Sequence, residues 1–267
     1  MLPYFTPENI GSSTLLSVKR IVPLQILLVI PLIFILVGCE DLFPGKTAAV
    51  TEGHYETILP TEPDGSGKVY LGREIAEVLD TPEVPEWLER PDRESEEFPN
   101  RVIQALELRP TDVVADIGAG TGYFSFRFSP YVPDGLVLAV DIQQDMLDII
   151  KERQQGEGVA NIAPILGTIT NPNLPADSVD LAIIISSYHE FSNPREMMEN
   201  IVAALRPGGR FVLVEYRGED PTIPVSSLRR MTQDQAIKEM RHVGLRWKET
   251  KDFLPQQHFL IFEKPRK

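Results

Sequence analysis

The chain has 267 residues, 42% of them hydrophobic and 24% charged, which suits one α/β domain with extensions. A formal charge of −13, with no basic cluster beyond Lys264, Arg266 and Lys267, argues against a nucleic-acid substrate. The single cysteine, Cys39, excludes an intrachain disulfide, and the four scattered histidines, His54, His189, His242 and His258, lack metal-ligand spacing, so no metal is expected.

Lys19 and Arg20 precede an apolar run from Ile21 to Val37, interrupted by Pro23, Gln25 and Pro31. A basic flank, an apolar centre and small residues before a cleavage point describe a signal peptide over residues 1–38. The stretch before Lys19 is long for such a signal, and a start assigned too early is one hypothesis for it. Leu36-Val37-Gly38-Cys39 resembles the lipobox of bacterial lipoproteins. That resemblance implies lipidation of Cys39 and a membrane-anchored domain on the exported side. An uncleaved anchor is the alternative, weakened by its two prolines. A domain in the cytoplasm or on the cytoplasmic membrane face is the alternative location.

Residues 39–68, rich in Pro, Gly, Thr and acidic residues, are expected to form a flexible tether. Residues 69–98 form an N-terminal extension. The spacing of Leu71, Ile75, Val78 and Leu79 predicts a short amphipathic helix from Tyr70 to Asp80. Pro82, Pro85 and Pro91 then punctuate a loop holding Trp87, Leu88 and Arg90, which reads equally as a lid or as packing onto the domain. Residues 99–267 form the main domain. A helix is expected from Pro99 to Leu108, and then strand and helix patterns alternate. Strand-like runs are Val113–Ile117, Leu136–Val140, Ile162–Leu166, Leu181–Ile185 and Phe211–Val214, several of them continuously apolar, as parallel strands buried on both faces are. One intervening helix carries Met146, Leu147 and Ile150. Another opens at Asn193-Pro194, as an N-cap followed by proline, and stops at Pro207-Gly208-Gly209. A helix from Asp234 to His242 and two strands, Leu245–Thr250 and Phe259–Phe262, close the domain. The alternation predicts a doubly wound, mostly parallel sheet.

The first of these strands runs into Asp116-Ile117-Gly118-Ala119-Gly120-Thr121-Gly122. Three glycines in a G-x-G-x-G turn let a ligand approach the backbone closely. A dinucleotide site would want G-x-G-x-x-G, and Tyr123 stands where that pattern continues to its third glycine. Asp141 ends the second strand about twenty residues further on, where a carboxylate accepts hydrogen bonds from ribose hydroxyls. Such a carboxylate favours an unphosphorylated nucleoside.

Asp116 through Gly122 resemble motif I of class I S-adenosylmethionine-dependent methyltransferases, and Asp141 resembles their motif II acid. Leu174-Pro175, Asp177 through Leu181 and Leu205 through Arg210 resemble the approaches to their fourth and fifth strands. The Gly72–Ala76, Trp87–Pro91, Tyr188–Phe191 and Glu215–Arg217 segments resemble an uncharacterised bacterial group of such enzymes. The resemblance implies a seven-stranded Rossmann-like methyltransferase fold with an N-terminal helical extension, and S-adenosyl-L-methionine as cofactor. It implies cofactor contacts from Asp116, Gly118, Ala119, Gly120 and Gly122 in the turn, and from Asp141, Ile142, Met146, Thr168 and Ser186 beyond it. Asp116 otherwise fixes the turn, and Met146 otherwise belongs to the core.

Ligands of open α/β sheets sit beyond the strand carboxyl ends. Tyr188, His189 and Glu190 follow the fourth strand there, and His189, with Glu190 beside it, reads as a general base or as a structural histidine bonded to backbone. Tyr188, Glu215, Tyr216 and Arg217 are candidate acceptor contacts; Arg217 reads equally as a salt bridge to Glu219 or Asp220. Arg229, Arg230 and His258 are weaker candidates. The activity implied is methyl transfer to a small-molecule acceptor. A catalytically silent S-adenosylmethionine-binding or regulatory protein anchored at the membrane is the alternative.

Overall fold

The computed structural model describes residues 50–81 and 83–266. The apolar run, Cys39 and the first part of the expected tether lie outside the described residues. Among the described residues no helix is long and apolar enough to cross a membrane.

Strands β1 (Val50–Glu52), β2 (Tyr55–Thr57), β3 (Gly65–Tyr70) and β4 (Arg73–Ala76) form an antiparallel sheet in that order. This corrects two expectations, the tether and the helix from Tyr70 to Asp80. Leu71 and Gly72, with φ of 49° and 88°, make a two-residue turn pairing Tyr70 with Arg73. A left-handed leucine is not a hairpin signal, and the spacing of Leu71 and Ile75 mimics a helix. Inside the sheet the buried Glu74 carboxylate accepts the N–H groups of Thr61 and Gly67, each at 3.0 Å.

The sheet is tied to the main domain by polar contacts. Arg73 donates to Glu239 through Nε at 2.8 Å and Nη2 at 3.0 Å. Lys68 Nζ donates to the Ser192 carbonyl at 2.6 Å and Asn193 Oδ1 at 2.8 Å. The expected N-cap side chain of Asn193 is therefore spent on Lys68 and makes no capping bond. After β4 come two short helices, α1 (Val84–Leu88) and α2 (Arg93–Glu96), where a loop was expected. The extension is thus half sheet and half helical turns.

Helix α3 (Pro99–Leu106) leads into the main sheet of β5 (Val113–Ile117), β6 (Leu136–Asp141), β7 (Ile162–Leu166), β8 (Val179–Ile185), β9 (Leu205–Arg217), β10 (Arg230–Met231), β11 (Arg246–Lys251) and β12 (Gln257–Glu263). Its order is β11-β12-β9-β8-β5-β6-β7, with the short β10 beside the end of β9. All pairings are parallel except those of β12. The seven-stranded, mostly parallel architecture therefore stands as expected, with β10 as an addition.

Alternation along each strand explains the layering. Val114, Ala139, Ile183 and Val212 pack in one cluster with α3, α4 (Tyr123–Phe128) and α5 (Gln144–Glu157). Ala115, Val140, Ile184 and Leu213 pack in the other with α6 (Pro194–Ala204) and α7 (Gln233–His242). Both faces are covered, which is why these strands read as unbroken apolar runs. Helix α6 ends at Ala204, ahead of the Pro-Gly-Gly turn expected to stop it. Gly208 and Gly209 are instead paired with the backbone of Lys264.

Candidate active site

Strands β5 and β6 run parallel in register, so their carboxyl ends are level, with Ile117 beside Val140. The chain then turns sharply: Gly118, Gly120 and Gly122 have φ of 74°, 54° and 82°. Only glycine adopts these values without strain. The N–H groups of Gly118 and Ala119 donate to the Val140 carbonyl at 2.8 and 3.0 Å. Asp141 Oδ2 accepts the Gly120 N–H at 2.8 Å and Oδ1 accepts the Gln143 N–H at 2.9 Å. The Ile142 N–H also bears on this carboxylate, which keeps acceptor capacity for a further donor. Burial raises the pKa of Asp141, although those backbone bonds pull the other way.

The surroundings fit an adenosine-type ligand. Ile142, beside Asp141, is 40% exposed, and Leu166, the β7 partner of Asp141, is 46% exposed. Apolar surface left open next to a carboxylate suits a purine ring above a ribose. Ser187 Oγ is buried without a hydrogen-bond partner and lies 2.6 Å from where a Cβ on Gly118 would sit. An orphaned hydroxyl against a glycine turn marks space for a polar ligand end. Next to it, Ser186 follows the last residue of β8 at φ 52° and its Oγ accepts from Gln257 Nε2 at 2.8 Å. A non-glycine residue held in the left-handed region is a strain typical of functional sites.

Other expected contact residues have partners or packing within the chain. Asp116 is 3% exposed and accepts the Ser125 hydroxyl at 2.6 Å, so it anchors the start of α4 beneath the turn. Burial pushes its pKa up to about 6, against the pull of Ser125 and Arg93. Met146 is buried in α5, which matches its core alternative. Thr168 is exposed, and its Oγ1 accepts the N–H of Asn171 at 3.0 Å in a local turn.

On the acceptor side the candidate residues bind one another. Tyr188 is fully buried and donates to Glu239 at 2.8 Å, the same carboxylate that holds Arg73. His189 is 4% exposed, with Nδ1 3.0 Å from Glu215 Oε2 and Nε2 3.2 Å from Arg229 Nη1. Arginine can only donate, so Nε2 accepts and Nδ1 carries the proton toward Glu215. Glu190 Oε2 accepts from Arg229 Nη1 at 2.9 Å and from the Leu79 N–H at 3.2 Å. Arg217 reaches Asp252 and the Pro255 carbonyl, rather than the expected Glu219 or Asp220. His258 takes Glu219, at 2.8 Å.

Tyr216, by contrast, faces the extension. Its ring is 6% exposed, burial raises its pKa, and the charges nearest its phenol are those of Glu97, Arg90 and Arg93. Residues 77–81 and 83–97 run across the site. Leu88 Cδ1 lies 2.7 Å from where a Cβ on Gly120 would sit, Glu89 accepts the Thr121 hydroxyl at 2.6 Å, and the Arg93 guanidinium lies 4.1 Å from the Tyr123 ring centre. Spacing along the chain carries no signal for Arg93, whereas Leu88 lies in the proline-punctuated loop and Arg229 among the weaker candidates read from the sequence. Ser187 had a signal, as the second hydroxyl after a continuous apolar strand.

Residues 114–209 match the sequence model of a family described as a methyltransferase domain. The chain is 33% identical over 141 residues to the uncharacterized methyltransferase YcgJ of Bacillus subtilis, covering 52% of this chain and 55% of that protein. It is 30% identical over 118 residues to the ubiquinone/menaquinone biosynthesis C-methyltransferase UbiE of Hydrogenovibrio crunogenus, covering 43% and 46%. The chain thus spans about half the length of these curated relatives. The crystal structure of an S-adenosylmethionine-dependent methyltransferase from Aquifex aeolicus superposes with a TM-score of 0.65 at 19% identity, over 70% of this chain and all of that one. The α/β domain therefore has the fold of S-adenosylmethionine-dependent methyltransferases, and fold and domain match together imply S-adenosylmethionine as the cofactor.

Proposed function

We propose that the protein transfers a methyl group from S-adenosylmethionine to a small-molecule acceptor. The observation that carries this is the glycine turn held against Asp141, whose carboxylate keeps acceptor capacity, with the orphaned Ser187 hydroxyl close by. Asp141 takes the ribose hydroxyls, Ile142 covers the adenine, and Gly118 with Ser187 meets the amino-acid end. The cofactor supplies a methyl group on a cationic sulfur, so the chain has to orient the acceptor, exclude water and, where the acceptor atom carries a proton, provide a base for it. Leu88 and the extension exclude water. Isothermal calorimetry should detect binding of S-adenosylmethionine or its demethylated product, and a labelled methyl group should pass to a component of fractionated cell extract. No heat of binding would sink the proposal.

One observation favours a second reading, a protein that binds the cofactor without turnover. Both ring nitrogens of His189 are engaged, so the lone pair a general base needs is already taken by Arg229. If His189 nonetheless acts as base, His189→Ala should cost roughly 10²–10⁴-fold in turnover. A wild type that binds but transfers no label to any fraction belongs to the second reading.

The location we propose rests on residues outside the described ones. Cleavage before Cys39 and acylation there would anchor the domain on the exported side. Labelling with a radioactive fatty acid should mark the wild type and not Cys39→Ser. Equal mobility of the two without label would return the domain to the cytoplasm or its membrane face.

A further inference from the structure

The guanidinium of Arg229 joins three parts of the chain. Its side chain is 11% exposed. Nε lies 3.2 Å from Asp64 Oδ2, in the connection from β2 to β3. Nη1 donates to Glu190 at 2.9 Å and to His189 Nε2 at 3.2 Å, in the turn after β8. Nη2 donates to the Glu77 carbonyl at 2.9 Å, where the chain leaves β4. Glu190 passes the contact on, since the oxygen that accepts from Arg229 also accepts the Leu79 N–H.

From Leu79 the chain crosses the carboxyl edge of the sheet. The Leu79 carbonyl accepts from Gln143 Nε2 at 3.3 Å, two residues beyond Asp141. Leu88 then covers Gly120, and Arg93 docks on Tyr123. The crossing passes in turn the ends of β8, β6 and β5, so a nucleoside on Gly118 and Asp141 lies beneath it. Exchange of such a ligand requires one end of the crossing to lift.

The two ends are fastened differently. At the far end Arg93 is buried, bonded to Glu97 at 2.7 Å and to the Leu88 carbonyl at 2.8 Å, and faces the Tyr123 and Phe124 rings. Lifting it would pull the guanidinium, with the Glu97 and Leu88 partners that travel with it, off the Tyr123 and Phe124 rings and open that apolar surface to water, which is costly. The near end is held by polar bonds of Arg229 and Glu190 to the backbone of Glu77 and Leu79. These exchange readily for water. We propose that Arg229 is a positioning residue, the latch that holds the Glu77–Leu79 end down, and that cofactor exchange proceeds by release of this end while α2 stays docked. The cofactor part rests on the function proposed above.

The test uses the full chain carrying Arg229→Gln, with Arg229→Lys as the conservative variant. Without ligand, hydrogen exchange in Arg229→Gln should rise tenfold or more across residues 77–81 and 83–90. It should stay at the wild-type level in α2 and in β5, β6 and β8, and Arg229→Lys should fall between. Trp87, stacked under Arg90 at 4.1 Å, then reports binding of S-adenosylhomocysteine by stopped flow in a Trp247→Phe background. Association and dissociation rates should both rise several-fold, with a smaller change in Kd. Wild-type exchange in the segment would overturn the latch, as would a rise spread evenly over the N-terminal sheet and the central strands. Raised exchange with unchanged ligand rates would overturn the gating role. If the ligand binds none of the proteins, the proposed function fails while the exchange pattern still decides the latch.

Discussion

The carboxyl edge of the sheet has two halves that use polar residues in opposite ways. At the ends of β5 and β6, Asp141 binds two backbone N–H groups and keeps capacity, with bare apolar surface beside it. At the ends of β8 and β9, Tyr188, His189, Glu190 and Glu215 spend themselves on Glu239, Arg229 and one another. Folding normally pairs buried polar groups, so a carboxylate left with open capacity is shaped for a ligand, and side chains paired with one another, as Tyr188, His189, Glu190 and Glu215 are, are shaped for holding chain segments together. The contrast assigns cofactor binding to the first half. It makes the second half the joint between the main domain, the N-terminal sheet and the crossing segment.

The largest effect should come from breaking the joint. Glu239 is 1% exposed and receives four hydrogen bonds, two from Arg73 and one each from Tyr188 and Gln235. Glu239→Ala strands the buried Arg73 charge and should cost about 3–5 kcal/mol in urea unfolding. If stability falls by less than about 1 kcal/mol, the second half is not the structural joint described here.

Asp116 sharpens the contrast from the other half, with an effect of the opposite sign. Its folded pKa of about 6 lies above the ordinary 3.8, because burial disfavours the charged form. Between those values the folded chain binds more protons than the unfolded chain, so stability falls as pH rises from about 4 to 6. Above pH 6 the full penalty, on the order of 3 kcal/mol, persists. Asp116→Asn keeps an acceptor for Ser125 and removes the charge. It should therefore be more stable than wild type at pH 8, with the gain fading toward pH 4. A gain of equal size at both pH values would show that the carboxylate carries no such strain.

The two halves also differ in how far they could be read from the chain. Strand β5 was predicted at its observed bounds, and the glycine turn and Asp141 lie where expected, because continuous apolar runs and glycine spacing are local signals. The joint is not local. Arg73 meets Glu239 across 166 residues, and Arg229 meets the Glu77 carbonyl across 152. No spacing rule announces such pairs, so His189 and Glu215 were legible only as polar residues at strand ends. The N-terminal sheet was missed for another reason. Its third strand opens with Gly65-Ser66-Gly67, poor strand formers, and its turn carries a leucine at positive φ.

Asp141→Ala should weaken binding of S-adenosylhomocysteine by about 1–3 kcal/mol through lost ribose bonds. The side chain also secures Gly120, so the measurement needs a control that spares the turn. Adenine, which lacks the ribose, should bind the variant and the wild type with similar weak affinity. A variant that loses both ligands equally has lost the turn and says nothing against the pairing contrast; one that retains full affinity for the nucleoside ends the ribose assignment.

The smallest effect concerns the open apolar surface. Ile142 is 40% exposed, so little of the fold depends on it. Ile142→Ala removes methyl and methylene groups that an adenine ring would otherwise cover, at about 0.8 kcal/mol for each CH₂ fully buried. The ring covers only part of the side chain, so the expected loss in S-adenosylhomocysteine affinity is about 1 kcal/mol. The unfolding midpoint should barely move. Tyr131, 50% exposed and placed before the amino end of β6, the strand whose carboxyl end carries Asp141, supplies the comparison, since Tyr131→Ala should leave affinity unchanged. Equal losses at both positions would reduce the open surface beside Asp141 to ordinary exposed apolar residues, which every folded protein carries.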